Sequence, residues 1–133
     1  MEPTRFTDDL NLLPQSLSTL ADQLSAGLPG LAEAEALGAQ VAARAGHQPR
    51  VLLLGMGSSN YAADIVAREA RQAGANVVAE LASTRDLPAV AEDLIVIAVS
   101  ATGGSVEVLD AARRYSGAGR LIAVKNREGS PLE

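Results

Sequence analysis

The sequence predicts an α/β fold in which helices pack on both faces of a doubly wound parallel sheet. From residue 50 onwards, short apolar runs alternate with glycine turns and helical segments, the pattern of a parallel sheet with crossover helices. The chain is 47% hydrophobic but only 2% aromatic, so its core must be built from Ala, Val, Leu and Ile, which suits helices packed on a parallel sheet. With 133 residues, the chain can bury one such core.

The first fifty residues are predicted to be helical. A first helix, with Pro14 in its first turn, is indicated by the helical spacing of Leu12, Leu13, Leu17, Leu20 and Leu24. The segment AGLPG at 26–30 ends this helix. A second helix is predicted over Leu31–Ala45. We therefore expect residues 1–49 to form a helical hairpin that packs on the core or on a partner chain. Six acids against three arginines argue against a DNA-reading helix-turn-helix here.

Residues 50–133 are predicted to form one domain with four strands. The apolar runs place these strands at 51–56, 76–82, 94–100 and 120–126. A helix is predicted within residues 57–74, with a stop at Gly74, and a second helix after Ser105. A short helical segment is expected over 83–91.

Composition excludes several classes of function. A net charge of −5 argues against binding to a nucleic acid backbone, which needs a clustered basic face. The absence of cysteine excludes disulfides, thiolate metal sites and thiol catalysis, and it fits a reducing cytoplasm. The acidic start lacks the features of a signal peptide, and no stretch approaches about 18 continuous apolar residues. We expect a soluble cytoplasmic protein that uses no metal or cofactor and has no nucleic acid or membrane partner.

Two hydroxyl-rich loops carry the functional prediction. Gly55-Met56-Gly57-Ser58-Ser59-Asn60 follows the first strand, and Ser100-Ala101-Thr102-Gly103-Gly104-Ser105 follows the third. Each loop leads into a helix N-terminus, where unpaired amides and the positive end of the helix dipole attract an anion. Ligands of such sheets bind beyond the carboxyl ends of the strands, where the strand order reverses. The loops are therefore predicted to hold a phosphate, and simple N-capping by Thr102 or Ser105 is the alternative.

From about Arg50 to Leu132 the sequence resembles the sugar isomerase (SIS) domains, which bind phosphosugars on a doubly wound sheet of flavodoxin-like order. Within that family it is similar to the isomerase half of glutamine:fructose-6-phosphate aminotransferase and to related phosphosugar isomerases and deaminases. Four motifs of that family are matched in order, by the residues Gly55 to Ser59, Ala79 to Ser83, Ser100 to Ser105, and the set Asn126, Ser130 and Leu132.

The resemblance implies two groups of binding residues. The sugar phosphate would be held by hydroxyls and backbone amides of Ser100, Ala101, Thr102, Gly103 and Ser105. The phosphate end or an adjacent sugar hydroxyl would be contacted by Gly57, Ser58 and Ser59. Ala101 and Gly104 stand where the family has Gln and Glu, a departure that bears on affinity and sugar preference.

The resemblance also implies a fifth strand and a further helix after residue 132, and often a second copy of the domain. We therefore expect a truncated fragment, the first of two copies, that pairs as a homodimer or with a second SIS domain. No catalytic base is assigned. Glu80 and Lys125 are expected to be structural, Glu107 to be solvated and His47 to be an inert surface residue.

The function implied by the resemblance is phosphosugar binding, of a hexose 6-phosphate or an amino-sugar phosphate, as the first half of an aldose–ketose isomerase or deaminase. This chain alone is expected to be inactive. A non-catalytic phosphosugar sensor is the alternative. A third possibility is a dinucleotide-binding domain, since Gly55, Gly57 and Glu80 imitate its fingerprint. This reading is less favoured, because Asn60 stands in place of the third glycine.

Overall fold

The structure, a computed structural model, describes residues 3–132, with side chains from residue 6 onwards. The described elements, in chain order, are α1 (Pro3–Ala26), α2 (Leu31–Ala45), β1 (Arg50–Gly55), α3 (Ser58–Gln72), β2 (Asn76–Leu81), β3 (Leu94–Ser100), α4 (Val106–Ser116) and β4 (Leu121–Lys125). The chain divides into two compact units, Met1–Glu35 and Ala36–Glu133, and the second contains the sheet.

The four strands form one parallel sheet in the order β2-β1-β3-β4. Leu52 at the middle of β1 lies opposite Val78 on one side and Val96 on the other. The chain runs outward from β1 to β2 and then crosses back to β3 and β4, so the strand order reverses between β1 and β3. This topology confirms the predicted doubly wound α/β fold of flavodoxin-like order.

Each face of the sheet is covered by one helix. Successive side chains of a strand point to opposite faces, so Leu53 packs with α3 while Leu52 and Leu54 pack with α4. The α3 side buries Ala63 and Ala67. The α4 side is larger, and it buries Leu52, Leu54, Ala82, Leu87, Leu94, Val96, Ala98, Val108, Ala111, Ala112, Tyr115 and Leu132. Burial on both faces explains why β1 and β3 are continuous apolar runs.

The helical segment expected over 83–91 was wrong, because residues 82–93 form turns and irregular backbone. Pro88 lacks an amide hydrogen and disfavours helical backbone at the residue before it. That residue, Leu87, is instead buried in the core. The Tyr115 hydroxyl donates a 2.7 Å hydrogen bond to the Pro88 carbonyl and so holds this connection against α4.

Other differences concern the ends of elements. Pro14 lies well inside α1, because the helix begins at Pro3 instead of near residue 12. Pro3 suits a first helical position, whose amide needs no intrahelical partner. Three strands differ from the predicted bounds by one residue at one or both ends, and β3 and α2 have the predicted bounds.

An ion pair closes the amino end of the sheet, away from the two loops. Arg50 Nε and Nη2 donate to the two carboxylate oxygens of Asp93 at 2.7 and 2.8 Å, and the Arg50 amide donates to the Asp93 carbonyl at 2.9 Å. The two side-chain hydrogen bonds from Arg50 are the main cause that lowers the pKa of the Asp93 carboxyl group to about 2. Among the residues described, no helix is both long and apolar enough to cross a membrane.

Candidate functional site

The two hydroxyl-rich loops lie side by side at the carboxyl edge of the sheet, because β1 and β3 are neighbours. A cavity of about 190 Å³ lies between them. Its lining residues are Met56, Ser58, Ser59, Val99, Ser100, Ala101, Thr102, Ser105 and Val108.

The turn from β1 into α3 depends on two glycines. Gly57 precedes the helix with a φ of 53°, in the left-handed region that favours glycine. A Cβ at Gly55 would lie 2.9 Å from the Asn60 amide nitrogen, so the strand end could not approach the helix so closely with any larger residue. This tight turn brings the hydroxyl-bearing residues Ser58 and Ser59 to the cavity wall at the start of α3.

The loop from β3 into α4 is held by its own hydroxyl oxygens. The Gly103 amide donates to Ser100 Oγ at 3.1 Å and to the Ser100 carbonyl at 3.2 Å. The Gly104 amide donates to Thr102 Oγ1 at 3.3 Å. A hydroxyl that accepts a hydrogen bond still carries its own hydrogen, so Ser100 and Thr102 keep a donor for a further acceptor.

Gly103 shapes this loop and does not line the cavity. Its φ is 64°, and a Cβ there would lie 2.5 Å from Ser130 Cβ and still closer to Ser130 Oγ. Its amide already donates to Ser100, so this amide would have to leave that bond in order to contact a phosphate. Gly57 is likewise absent from the cavity wall.

The segment after β4 is hydrogen-bonded to the loop between β3 and α4. The Leu132 amide donates to the Gly103 carbonyl at 3.2 Å, and the Asn126 amide donates to the Ala101 carbonyl at 3.3 Å. Ser130 and Leu132 are both buried. The late sequence motif therefore has a structural role under the loop between β3 and α4.

The alternative of simple N-capping is not observed. Ser105 occupies the N-cap position of α4 with extended backbone, but its side chain makes no capping hydrogen bond. Ser105 Oγ instead donates to Glu107 Oε2 at 2.9 Å. The first intrahelical backbone bond runs from the Leu109 amide to the Ser105 carbonyl, so the amides of residues 106 and 108 have no partner within the helix, while that of residue 107 donates to its own carboxylate.

Glu107 brings a negative charge to the start of α4. Hydrogen bonds from its own backbone amide and from the Ser105 hydroxyl lower the pKa of this carboxyl group. It is therefore ionised at neutral pH. The same side chain lines a separate groove of about 350 Å³, together with Ser83, Arg85 and Arg114.

A second, larger cavity of about 330 Å³ adjoins the first and shares Ser58, Ser59, Val99, Ser100 and Ala101 with it. The larger cavity is completed by Ala62, Val124, Lys125 and Asn126. Sequence reasoning treated Lys125 as structural and did not place Asn126 at the site. The positions of Lys125 and Asn126 at the end of β4 could have indicated this, because β4 pairs with β3 and the two strands end at the same edge of the sheet.

The remaining candidates lie elsewhere. Glu80 sits in β2 opposite Leu54 and lines neither cavity. His47 is exposed before β1, where its ring contacts the Gln48 carbonyl at 2.9 Å. Within residues 3–132, no group of three or more His, Asp or Glu side chains could hold a metal ion.

Solved structures of similar fold come from several bacteria. Escherichia coli CFT073 c3406, solved in complex with a phosphosugar, is 22% identical with a TM-score of 0.71 over 99% of this chain and 70% of its own. Tagatose-6-phosphate ketose/aldose isomerase from E. coli is 22% identical with a TM-score of 0.57, covering 83% of this chain and 34% of its own. The Vibrio vulnificus NanR protein, complexed with ManNAc-6P, is 18% identical with a TM-score of 0.55, covering 99% and 53%.

No protein-family model matches the chain, and no curated protein does. At these identities the likeness to solved structures establishes the fold, which is that of the SIS domains of phosphosugar isomerases.

Proposed function

We propose that residues 50–133 bind a phosphorylated sugar, a hexose 6-phosphate or an amino-sugar phosphate, at the carboxyl ends of β1 and β3. The observation that carries this proposal is the convergence of two helix N-termini, each with a hydroxyl-rich loop, on one cavity of about 190 Å³. Unpaired amides and the positive ends of two helix dipoles favour an anion at such a place.

The phosphate is proposed to occupy the smaller cavity. Ser100, Thr102 and Ser105 line one wall, and Ser58 and Ser59 line the other. Within the loop, the hydroxyl oxygens of Ser100 and Thr102 accept hydrogen bonds, so their hydrogens remain available to donate to the phosphate. The residues of this wall carry no charge, so recognition would rest on hydroxyls and backbone amides, as in other anion-binding nests.

The sugar is proposed to extend into the larger cavity of about 330 Å³, where Lys125 and Asn126 supply polar groups and Ala62, Val99 and Val124 supply apolar ones. Its volume falls in the range of roughly 300–1,000 Å³ that is usual for small-molecule sites. Two phosphosugar complexes of similar fold, c3406 and NanR with ManNAc-6P, support a phosphosugar as the ligand class.

We further propose that this site belongs to an aldose–ketose isomerase or deaminase that works as a dimer in the cytoplasm, and that the present chain binds without turnover. Isomerisation needs a carboxylate base near the sugar carbons. Among the described residues, Glu107 is the acid beside the loop, and its lowered pKa makes it a weak base. The same observation favours a non-catalytic phosphosugar sensor as the second candidate.

Calorimetry on the full chain tests the binding site. Fructose 6-phosphate and glucosamine 6-phosphate should bind, while fructose and NAD should not. The double variant Thr102→Val, Ser105→Ala should nearly abolish binding, because each hydrogen bond to a charged group contributes about 1.5–3 kcal/mol, the Ser105 hydroxyl being proposed to turn from Glu107 to the phosphate. Ser116→Ala removes an exposed hydroxyl at the other end of α4 and serves as the control. Unchanged affinity in a folded double variant, or binding of NAD alone, would refute the site.

Enzyme assays test the proposal that this chain binds without turnover. Hexose phosphate isomerisation and ammonia release from glucosamine 6-phosphate should both be undetectable for this chain, even where it binds the sugar. Turnover by the chain would contradict binding without chemistry and would direct attention to Glu107 and Glu80 as bases.

A further inference from the structure

A groove of about 350 Å³ lies between helix α4 and the connection that follows β2, and we call it the α4 groove. All of its lining residues belong to the unit Ala36–Glu133. Three of them, Ala82, Leu87 and Ala111, are apolar and buried. Buried apolar groups beside a few polar ones, at a volume within roughly 300–1,000 Å³, are typical of small-molecule sites. The groove shares no lining residue with either cavity of the proposed phosphosugar site.

One end of the groove carries two arginines that no carboxylate neutralises. Arg114 Nη1 donates to the Arg85 carbonyl at 3.4 Å, so the Arg114 guanidinium reaches from α4 to the connection. The ion pairs among the described residues use other arginines, namely Arg50, Arg68 and Arg113. A guanidinium has further N–H donors in a planar fork that matches a carboxylate or a phosphate. This end of the groove therefore suits an anion.

The other end of the groove is acidic. Glu107 and Arg114 are seven residues apart on α4, so they share a face of the helix and are separated by about 10 Å along its axis. Asp110 lies between them and is paired with Arg113 at 2.6 Å. The Glu107 carboxylate accepts from the Ser105 hydroxyl at 2.9 Å and can accept further hydrogen bonds, since each carboxylate oxygen has two lone pairs. This end therefore suits an ammonium group.

We propose that the α4 groove binds a small bipolar molecule, whose ammonium group contacts Glu107 and whose carboxylate or phosphate contacts Arg85 and Arg114. The hydroxyls of Ser83 and Thr84, which also line the groove, can donate to the anionic group. Because the two ends lie two helical turns apart, several bonds must separate the charges of the ligand. An α-amino acid carries both charges on one carbon and reaches only one end.

Glu107 connects the α4 groove to the proposed phosphate cavity. Its carboxylate accepts from Ser105, which lines that cavity. An ammonium group at Glu107 offsets the negative charge beside the phosphate and competes with Ser105 for the carboxylate, so the Ser105 hydroxyl can turn to the phosphate. The groove ligand should therefore tighten phosphosugar binding, and linkage requires the reverse effect to be equal. This coupling rests on the proposed function, whereas the groove itself does not.

Calorimetry on the full chain with 6-aminohexanoate and 4-aminobutyl phosphate tests the groove, and the tighter of the two probes identifies the anionic group. Hexanoate and hexylamine each lack one charge and should bind at least about 10-fold more weakly than 6-aminohexanoate, because they lose hydrogen bonds to a charged group. Glycine should not bind. The double variant Arg85→Ala, Arg114→Ala should weaken the tighter probe at least about 10-fold. Arg68→Ala removes an exposed arginine from α3, on the other face of the sheet, and is the matched control.

The outcomes separate the groove from the phosphosugar site. If the double variant lowers the urea midpoint, Arg85→Ala alone repeats the comparison, since it leaves the bond from Arg114 to the connection in place. Failure of both probes to bind, equal binding of hexanoate, or equal weakening by Arg68→Ala would overturn the groove site.

Saturation with the tighter probe tests the coupling. It should lower the Kd of fructose 6-phosphate at least about 5-fold, and an unchanged Kd would overturn the coupling. If fructose 6-phosphate does not bind while the probe does, the proposed function fails and the groove site stands.

Discussion

Gly103→Ala should destabilise the fold by about 2–5 kcal/mol, although it adds a single methyl group. A left-handed residue other than glycine costs about 1–2 kcal/mol. The new Cβ would also lie 2.5 Å from Ser130 Cβ, in a buried place, and overpacking of this kind costs about 1–3 kcal/mol. Domains of this size have roughly 5–15 kcal/mol of stability, so the loss should be large.

Urea denaturation of the full chain measures this effect against a neighbouring control. Gly104→Ala adds the same methyl group one residue later, where the nearest atom is Thr102 Oγ1 at 3.8 Å, and it should change stability by less than about 0.5 kcal/mol. Adding Ser130→Gly to Gly103→Ala removes the atoms that the new methyl group meets, so it should recover the packing part of the loss and leave the backbone part. Equal stability of the two alanine variants would refute the contact between the loop and the segment after β4.

Three further outcomes follow from particular contacts. Glu107→Gln should tighten binding of glucosamine 6-phosphate in calorimetry, because it removes an ionised carboxylate beside the proposed dianion, and unchanged or weaker binding would contradict this. Asp93→Asn should lower the melting temperature at neutral pH. The pKa of Asp93 in the fold is about 2, below its ordinary 3.8, so the ion pair with Arg50 stabilises the protein above pH 3.8 and the difference between variant and wild type should vanish as the pH falls towards 2. Tyr115→Phe should cost about 0.5–1.5 kcal/mol in urea denaturation, since the Pro88 carbonyl loses a 2.7 Å hydrogen bond; no loss would mean that water replaces the hydroxyl.

The two central strands, β1 and β3, could be predicted because they are largely buried on both faces. Such strands are apolar at every position, and glycines or polar turns bound them, so runs such as residues 94–100 stand out without any periodicity. The connection over 83–91 could not be predicted in the same way. Its course depends on burial of Leu87 and on the hydroxyl of Tyr115, which lies 27 residues after the Pro88 that accepts its bond.

The candidate site was predictable to the extent that backbone defines it. Small residues and hydroxyls after β1 and β3 indicate two anion-attracting turns, and the reversal of strand order puts them together. The role of Gly103 was not predictable, since it depends on contact with Ser130 and Leu132, which approach only when the chain returns under the loop. The sequence suggests that the Gly103 amide is free to bind a ligand, but in the fold this amide donates to Ser100 and so shapes the loop.

The groups proposed to contact the sugar differ in kind from those proposed to contact the phosphate. Ala101 is one of the five residues that line both cavities, so it lies at the junction between them. The resemblance to SIS domains expects a glutamine at this position, and the short alanine side chain leaves that junction wider and without an amide donor. The backbone amides and hydroxyls of the loop do not depend on this side chain, so the change leaves the proposed phosphate contacts in place. Selectivity among phosphosugars should therefore be determined at Ala101, Lys125 and Asn126 more than at the hydroxyls of the loop.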